Sequence, residues 1–182
     1  MRIFIILVVF SLTLQSCFKS IYEPKLGNYR AEMITKDGSI LPFKFELLKV
    51  SNQLTMKVKN DKETLLYDQI EYEGDSIRIY MQPFDAVIIA KAEDGFLKGR
   101  YLKEESGKET PFKAIISDAP KFESSKKANL NLNGKFRTVF RPEKPYPGLG
   151  VFIQKGNQVS GTFMKNSGDT RFLSGIVFGD SI

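Results

Sequence analysis

The 182-residue chain contains no histidine and no tryptophan, and its only cysteine is Cys17. Without histidine the chain has no Ser-His or Cys-His nucleophile, no imidazole metal ligand and no side chain whose ordinary pKa lies near neutrality. A single cysteine excludes an internal disulfide, a Cys-x-x-Cys redox pair and a thiolate zinc cluster. We therefore predict that this chain is not an enzyme and has no catalytic, cofactor-binding or metal-ligating residue.

The composition is that of a globular protein with a mildly basic surface. Hydrophobic residues make up 42% of the chain, which is enough for one domain with a buried core. There are 27 basic and 21 acidic residues, and the two signs alternate, as in residues 57–63, KVKNDKE. This pattern predicts a solvated surface with a weak attraction to phospholipid headgroups and no nucleic-acid partner.

Residues 1–16 have the pattern of a secretory signal peptide. Arg2 precedes the apolar residues 3–14, and the small residue Ser16 lies directly before Cys17. The apolar run is shorter than the roughly 20 residues that a transmembrane helix needs. Two alternatives stay open, an ordinary signal peptide with a chance cysteine and an uncleaved membrane helix.

The sequence Leu14-Gln15-Ser16-Cys17 resembles a bacterial lipobox. In such lipoproteins the cysteine thiol receives a diacylglycerol, and the peptide is cut before the cysteine. Two or three acyl chains attach a protein stably to a bilayer. We therefore expect lipidation of Cys17, a tether over residues 17–25 and a membrane anchor as one partner. We place the chain in the cell envelope, on the outer membrane and facing the periplasm.

The rest of the chain predicts an all-β fold, an antiparallel meander that forms a barrel or a sandwich and resembles a lipocalin. Apolar residues alternate with polar ones, and turn signals such as Asp37-Gly38 and Asp94-Gly95 separate the runs. We divide the chain into a first β half over 26–118, a linker or crossover over 119–131 and a second β half over 132–182. The alternating apolar positions are Phe43, Phe45, Leu47, Leu54, Met56, Val58, Ile77, Ile79, Met81, Leu97, Gly99 and Tyr101.

Two short sequences occur once in each half. Gly27-Asn28-Tyr29-Arg30 is echoed by Gly134-Lys135-Phe136-Arg137. Lipocalin-type barrels start with a similar glycine-x-aromatic element, whose ring plugs one end of the barrel. The tetrapeptide GDSI occurs at 74–77, where it starts a strand, and again at 179–182. From that echo we expect the second half to be incomplete.

Residues 141–150, RPEKPYPGLG, contain three prolines and two glycines and predict a loop. Tyr146 lies among these prolines. It is a candidate contact for a partner, although a packed loop aromatic explains it as well.

Residues 161–175, GTFMKNSGDTRFLSG, resemble a recurring segment of TlpA-like thioredoxin-family disulfide reductases, which are lipoproteins of Gram-negative bacteria. Their β-rich N-terminal domain carries G-T-F, four residues, and then G-D-Y-R-aromatic-L-x-G. Residues 41–46 and 74–85 are similar to that domain as well. Thr170 stands where the family usually has tyrosine, and Phe136 stands where tryptophan is commoner. The resemblance implies that the redox chemistry lies in a later thioredoxin-fold domain with a Cys-x-x-Cys pair, and that this chain lacks it.

Three functions follow as hypotheses. The first is the non-catalytic N-terminal β domain of a membrane-anchored periplasmic thiol-disulfide oxidoreductase, which positions the redox domain or binds a periplasmic protein client. The second is a free-standing lipocalin-like lipoprotein that binds a small apolar ligand. The third is a structural envelope lipoprotein that acts through the loop 141–150. The candidate ligand or partner contacts are Tyr146, Phe43, Phe45, Met56, Ile79 and Phe163.

Overall fold

The computed structural model of the protein describes residues 23–141 and 143–182. The predicted signal peptide and Cys17 lie outside these residues. Thirteen β-strands and one short 3-10 helix, Gln82–Phe84, make up the regular structure of the described residues. The predicted all-β, antiparallel fold is confirmed.

Nine strands form one antiparallel sheet that curls into a nearly closed barrel. The order in space is β4-β3-β2-β1-β9-β8-β7-β6-β5, so β1 pairs with both β2 and β9. The two ends of the sheet, β4 and β5, follow each other in the chain, and the Gln53 amide donates to the carbonyl of Asp68 between them. The strands are β1 Gly27–Ile34, β2 Ile40–Val50, β3 Gln53–Asn60, β4 Glu63–Tyr67, β5 Ile70–Glu73, β6 Ser76–Met81, β7 Ala86–Glu93, β8 Phe96–Lys103 and β9 Lys108–Ile116.

The inward side chains of this barrel form the main hydrophobic core. Tyr29 on β1 is fully buried, and its ring stacks on Phe45 of β2 with centroids 5.0 Å apart. The Tyr29 hydroxyl donates to the carbonyl of Lys25 at 2.8 Å, so its one polar atom is satisfied. Tyr29 thus fills the barrel near the start of the chain, at the end opposite the β1–β2 turn. The other buried core residues include Ala31, Leu47, Leu54, Met56, Tyr67, Ile77, Ile79, Ile88, Leu97, Phe112 and Ala114.

The remaining four strands form a separate antiparallel sheet in the order β10-β11-β12-β13. One face carries a row of five rings, Phe136, Phe152, Phe163, Phe140 and Tyr146, with successive centroids 5.3–6.1 Å apart. The strands are β10 Gly134–Phe140, β11 Tyr146–Lys155, β12 Gln158–Lys165 and β13 Leu173–Ile176. We call these five rings the aromatic row.

The predicted loop over 141–150 is wrong for its second half, because β11 begins at Tyr146. Tyr146 pairs with Phe140, and Pro147 pairs with Val139. Pairing with β12 starts only at Gly148, so Pro147 needs no amide hydrogen on that side. A Cβ at Gly148 would lie 2.6 Å from the Phe140 ring, so a larger residue there would displace this ring. Proline and glycine therefore mark an aromatic-covered strand here, and not a turn.

The echo between the two halves has a structural counterpart. Gly27 and Gly134 begin β1 and β10 with φ angles of 140° and 143°, which side chains other than glycine rarely adopt. The aromatic two positions later differs in environment, since Tyr29 is buried whereas Phe136 is 39% exposed. The two halves thus begin their first strand in the same backbone conformation, but they do not bury the following aromatic side chain alike.

A charge network on the outside of the barrel leads to a prediction about pH. The Glu32 carboxylate pairs with Arg30 at 2.6 Å and with Lys113 at 2.8 Å, and its side chain is 14% exposed. The hydrogen bond from Lys113, followed by that from Arg30, lowers the pKa of Glu32 below its ordinary 4.5. A lowered folded-state pKa stabilises the protein above the unfolded pKa, and this gain is lost as the pH falls through the folded pKa.

We therefore expect Glu32→Gln to reduce the free energy of unfolding by about 1 kcal/mol near neutral pH. In acid, where Glu32 is protonated in both states, the variant should match the native chain. Urea unfolding on both sides of this transition measures the difference. A pH-independent loss would contradict the ion-pair explanation.

Candidate functional site

An apolar candidate site is a cavity of about 410 Å³ where the second sheet meets the mouth of the barrel. It exists because β2 and β3 separate at this end. Their pairing stops at Phe45–Val58, whereas β2 continues along β1 as far as the pair Ile34–Ile40. The segment Arg171–Leu173 of the second sheet lies across the resulting gap. We call this space the junction cavity.

The wall of the junction cavity is mainly apolar. Its inner part comes from inward-facing residues of six barrel strands, and its outer part comes from the second sheet and the crossover between the sheets. A concave apolar space with a few polar groups is the usual form of a small-molecule site. The apolar and aromatic lining residues are Met33, Leu41, Pro42, Phe43, Val58, Leu65, Tyr67, Met81, Phe84, Tyr101, Phe172 and Leu173.

Tyr67 is part of this wall, and its hydroxyl has no hydrogen-bond partner among residues 23–141 and 143–182. Burial raises the pKa of Tyr67 to about 12, so the hydroxyl keeps its proton and remains a donor at physiological pH. A buried donor without an acceptor costs about 1–3 kcal/mol. A hydrogen bond from this hydroxyl to an acceptor would therefore be favourable.

Arg171 lines the same cavity as Tyr67. Its guanidinium pairs with Glu63 of β4 and lies 5.2 Å from the centre of the Phe84 ring. The two paired side chains are 44% and 22% exposed. An ion pair of this exposure contributes little net stability, because water solvates both ions well when they part.

Lys121, from the crossover between the sheets, brings a second cation to the cavity. Its ammonium donates to the Ser174 hydroxyl at 3.0 Å and to the Ser174 carbonyl at 3.3 Å. Burial lowers the pKa of Lys121, and no acidic side chain pairs with it among the residues that the structure describes. Lys44 and Lys59 also line the cavity, whereas Glu63 is its one acidic lining residue. The electrostatic environment is thus positive.

Asn60, the last residue of β3, joins the barrel to the second sheet beside the cavity. Its side-chain amide donates to the carbonyl of Phe172, and its side-chain oxygen accepts from the Ser174 hydroxyl at 2.6 Å. One barrel side chain therefore fixes the segment that covers the cavity.

The structure distributes the predicted contact residues over three environments. Phe43 lines the junction cavity. Phe45, Met56 and Ile79 lie in the barrel, where they are packed into the core below the cavity. Phe163 and Tyr146 lie outside the barrel, in the aromatic row. The five residues proposed for an apolar ligand thus do not form one site, although four of them belong to the same barrel.

Sequence reasoning missed Tyr67, Arg171 and Lys121 as site residues. Tyr67 ends an ordinary alternating run, and Lys121 lies in a polar crossover, so neither carries a local signal. Arg171 stood within the segment 161–175, where the resemblance pointed to it without giving it a role. Their proximity depends on contacts between distant parts of the chain, such as the bond between Asn60 and Phe172.

Two negative findings hold for residues 23–141 and 143–182. No group of three or more histidine, cysteine, aspartate or glutamate side chains is arranged to hold a metal ion. No helix there has the length and apolar character required to cross a bilayer.

Compared with models of protein families, with curated proteins and with solved structures, the chain matches none.

Proposed function

We propose that this chain is the non-catalytic N-terminal β domain of a lipid-anchored periplasmic thiol-disulfide oxidoreductase. In this role it positions the redox domain or binds the client whose disulfide is exchanged. The chain contributes a rigid β support and an interaction surface, while the attacking thiolate belongs to a separate thioredoxin-fold domain. Lipidated Cys17 holds the assembly at the outer membrane.

The observation that carries this proposal is the place of segment 161–175, the one most similar to the TlpA-like family. Several residues of this segment have a structural role. A Cβ at Gly161 would lie 2.3 Å from the Val151 carbonyl oxygen, so only glycine fits there. Phe163 lies in the aromatic row, and Thr162 donates to the Thr170 carbonyl at 2.6 Å. Arg171 reaches the barrel through Glu63.

These tasks favour a positioning domain. Segment 161–175 forms part of the second sheet and attaches it to the barrel. Its residues therefore hold the second sheet in place relative to the barrel. The residues concerned are a glycine, phenylalanine, threonine and arginine engaged in packing and hydrogen bonds. Such contacts suit a support for another domain better than they suit a reaction centre.

The second sheet also offers a surface for a partner. The face opposite the aromatic row carries Val139, Ile153 and Met164, all of them exposed. Large exposed apolar patches mark interaction sites. We assign this face to the contact with the redox domain or its client.

The test uses the native product, extracted from membranes and assayed for reduction of insulin and of a small aromatic disulfide. We expect Val139→Asp to slow insulin reduction by about tenfold, the effect of losing about 1.4 kcal/mol of binding. The small disulfide, which needs no protein contact, should react at the native rate. Leu66→Asp is the matched control, since Leu66 is 60% exposed on barrel strand β4 and Val139 is 62% exposed. A native product without thiol-disulfide exchange, or equal effects of both variants, would refute the proposal.

A further inference from the structure

The junction cavity has two chemically different ends. Phe43, Val58 and Leu65 give it an apolar inner wall, while Arg171 and Lys121 provide cations at its outer side. A volume of about 410 Å³ falls in the lower part of the range of about 300–1,000 Å³ for small-molecule sites. Its shape and charge thus suit a slender molecule with an apolar body and an anionic head.

We propose that the junction cavity binds a medium-chain fatty acid or a carboxylate of the same shape. The carboxylate lies between Arg171 and Lys121, and the hydrocarbon chain extends along Phe43 and Val58 into the barrel mouth. This site is separate from the exposed face of the second sheet that we assign to protein contacts. It would operate whether or not the chain supports a redox domain.

The charges of the cavity wall favour an anionic ligand. The cavity wall carries four cationic side chains and one carboxylate, Glu63. Lys121 donates to uncharged oxygens of Ser174 and lies 4.9 Å from the centre of the Phe122 ring, so a ligand carboxylate supplies a negatively charged partner. Charge-assisted hydrogen bonds of this type are about twice as strong as neutral ones.

The Tyr67 hydroxyl gives the second argument. It is closed off from water and has no acceptor among the described residues, and Arg171 lines the same cavity. A ligand carboxylate that takes Arg171 from Glu63 exchanges one partly exposed ion pair for another, which costs little. Movement of the Arg171 side chain then opens the hydroxyl to a ligand oxygen, which satisfies the buried donor.

This exchange predicts opposite effects for two conservative variants. Glu63→Gln removes the carboxylate that competes for Arg171, so the affinity for a fatty acid should rise by about threefold. Tyr67→Phe removes the donor, so the affinity should fall by about fivefold to tenfold. Since the Tyr67 hydroxyl has no hydrogen-bond partner in the part of the chain that the structure describes, this variant should unfold at the native temperature or above it.

The experiment uses the full chain in detergent and a photoreactive diazirine analogue of decanoic acid. Peptide mass spectrometry locates the cross-links, and unlabelled decanoate and decanol compete for the site. We expect saturable cross-linking at the cavity wall and at least about tenfold weaker competition by decanol, which lacks the charge. Val58→Phe, which fills the cavity, should abolish the cross-link.

Glu46→Gln is the control for loss of a surface carboxylate, since Glu46 pairs with Lys57 on the outside of the barrel. It should leave competition by decanoate unchanged. Three results would overturn the proposal: no saturable cross-link in the cavity, equal competition by decanol and decanoate, or weaker binding by Glu63→Gln. General loss of the fold is excluded as a cause if thermal unfolding of the variants matches that of the native chain.

Discussion

Replacing Gly99 by alanine is expected to destabilise the barrel by about 3 kcal/mol or more. Gly99 lies in β8 opposite Ala90 of β7. A Cβ at Gly99 would lie 1.9 Å from the Ile89 carbonyl oxygen and 2.7 Å from the Ala90 Cα. Both are backbone atoms of the neighbouring strand, so no side-chain rotation relieves the overlap and the two strands must separate.

Gly175→Ala is the matched control for this experiment, since Gly175 also lies in a strand. Its added Cβ would meet only Val159, at 3.8 Å, which is an ordinary contact. We expect this variant to differ from the native chain by less than about 1 kcal/mol. Urea unfolding followed by far-ultraviolet circular dichroism measures both. If Gly99→Ala unfolds at the same urea concentration as Gly175→Ala, the close approach of β7 and β8 is wrong.

Replacing Tyr29 by alanine is expected to cost about 4 kcal/mol, the usual loss for a large buried aromatic. Tyr29 is fully buried and stacks on Phe45 with the ring planes 1° from parallel. Its removal would leave a void inside the barrel, where the surrounding strands have little freedom to collapse. The loss should appear as a lower midpoint of chemical unfolding.

Two further variants identify the source of the loss at Tyr29. Tyr29→Phe deletes only the hydrogen bond to Lys25 and should cost about 1 kcal/mol. Phe136→Ala changes the aromatic at the equivalent position of the second half, where the ring is 39% exposed. We expect about 1–2 kcal/mol there, because the ring is only partly removed from water. Equal losses at Tyr29 and Phe136 would mean that the two halves bury their aromatics alike.

The sequence predicts the class of the fold because alternation is a local property that survives in the structure. The run Phe43, Phe45 and Leu47 points into the barrel, and the turn residue Gly38 has the positive φ expected of a hairpin. The same local reasoning fails at Tyr146–Gly150. Glycine there serves the packing of rings from β10 and β12, and rings distant in sequence do not reveal themselves in a local pattern.

The candidate site is harder to predict than the strands, because it depends on contacts between the two halves. Asn60 and Phe172, which close it, are 112 positions apart. Tyr67 looks in the sequence like any core aromatic, and only the three-dimensional structure shows that no described residue accepts a hydrogen bond from its hydroxyl. The alternating pattern predicts the inward position of Phe43. It does not predict the other residues that line the cavity with Phe43 and come from the second sheet and the crossover.

The most direct test of the central claim is the intact mass of the native product extracted from membranes with detergent, measured before and after thiol alkylation. The account predicts a product much larger than 182 residues, acylated at Cys17, with two further thiols that react as a Cys-x-x-Cys pair. A product with the mass of residues 17–182, with or without acyl chains, and no other reactive thiol would contradict the account.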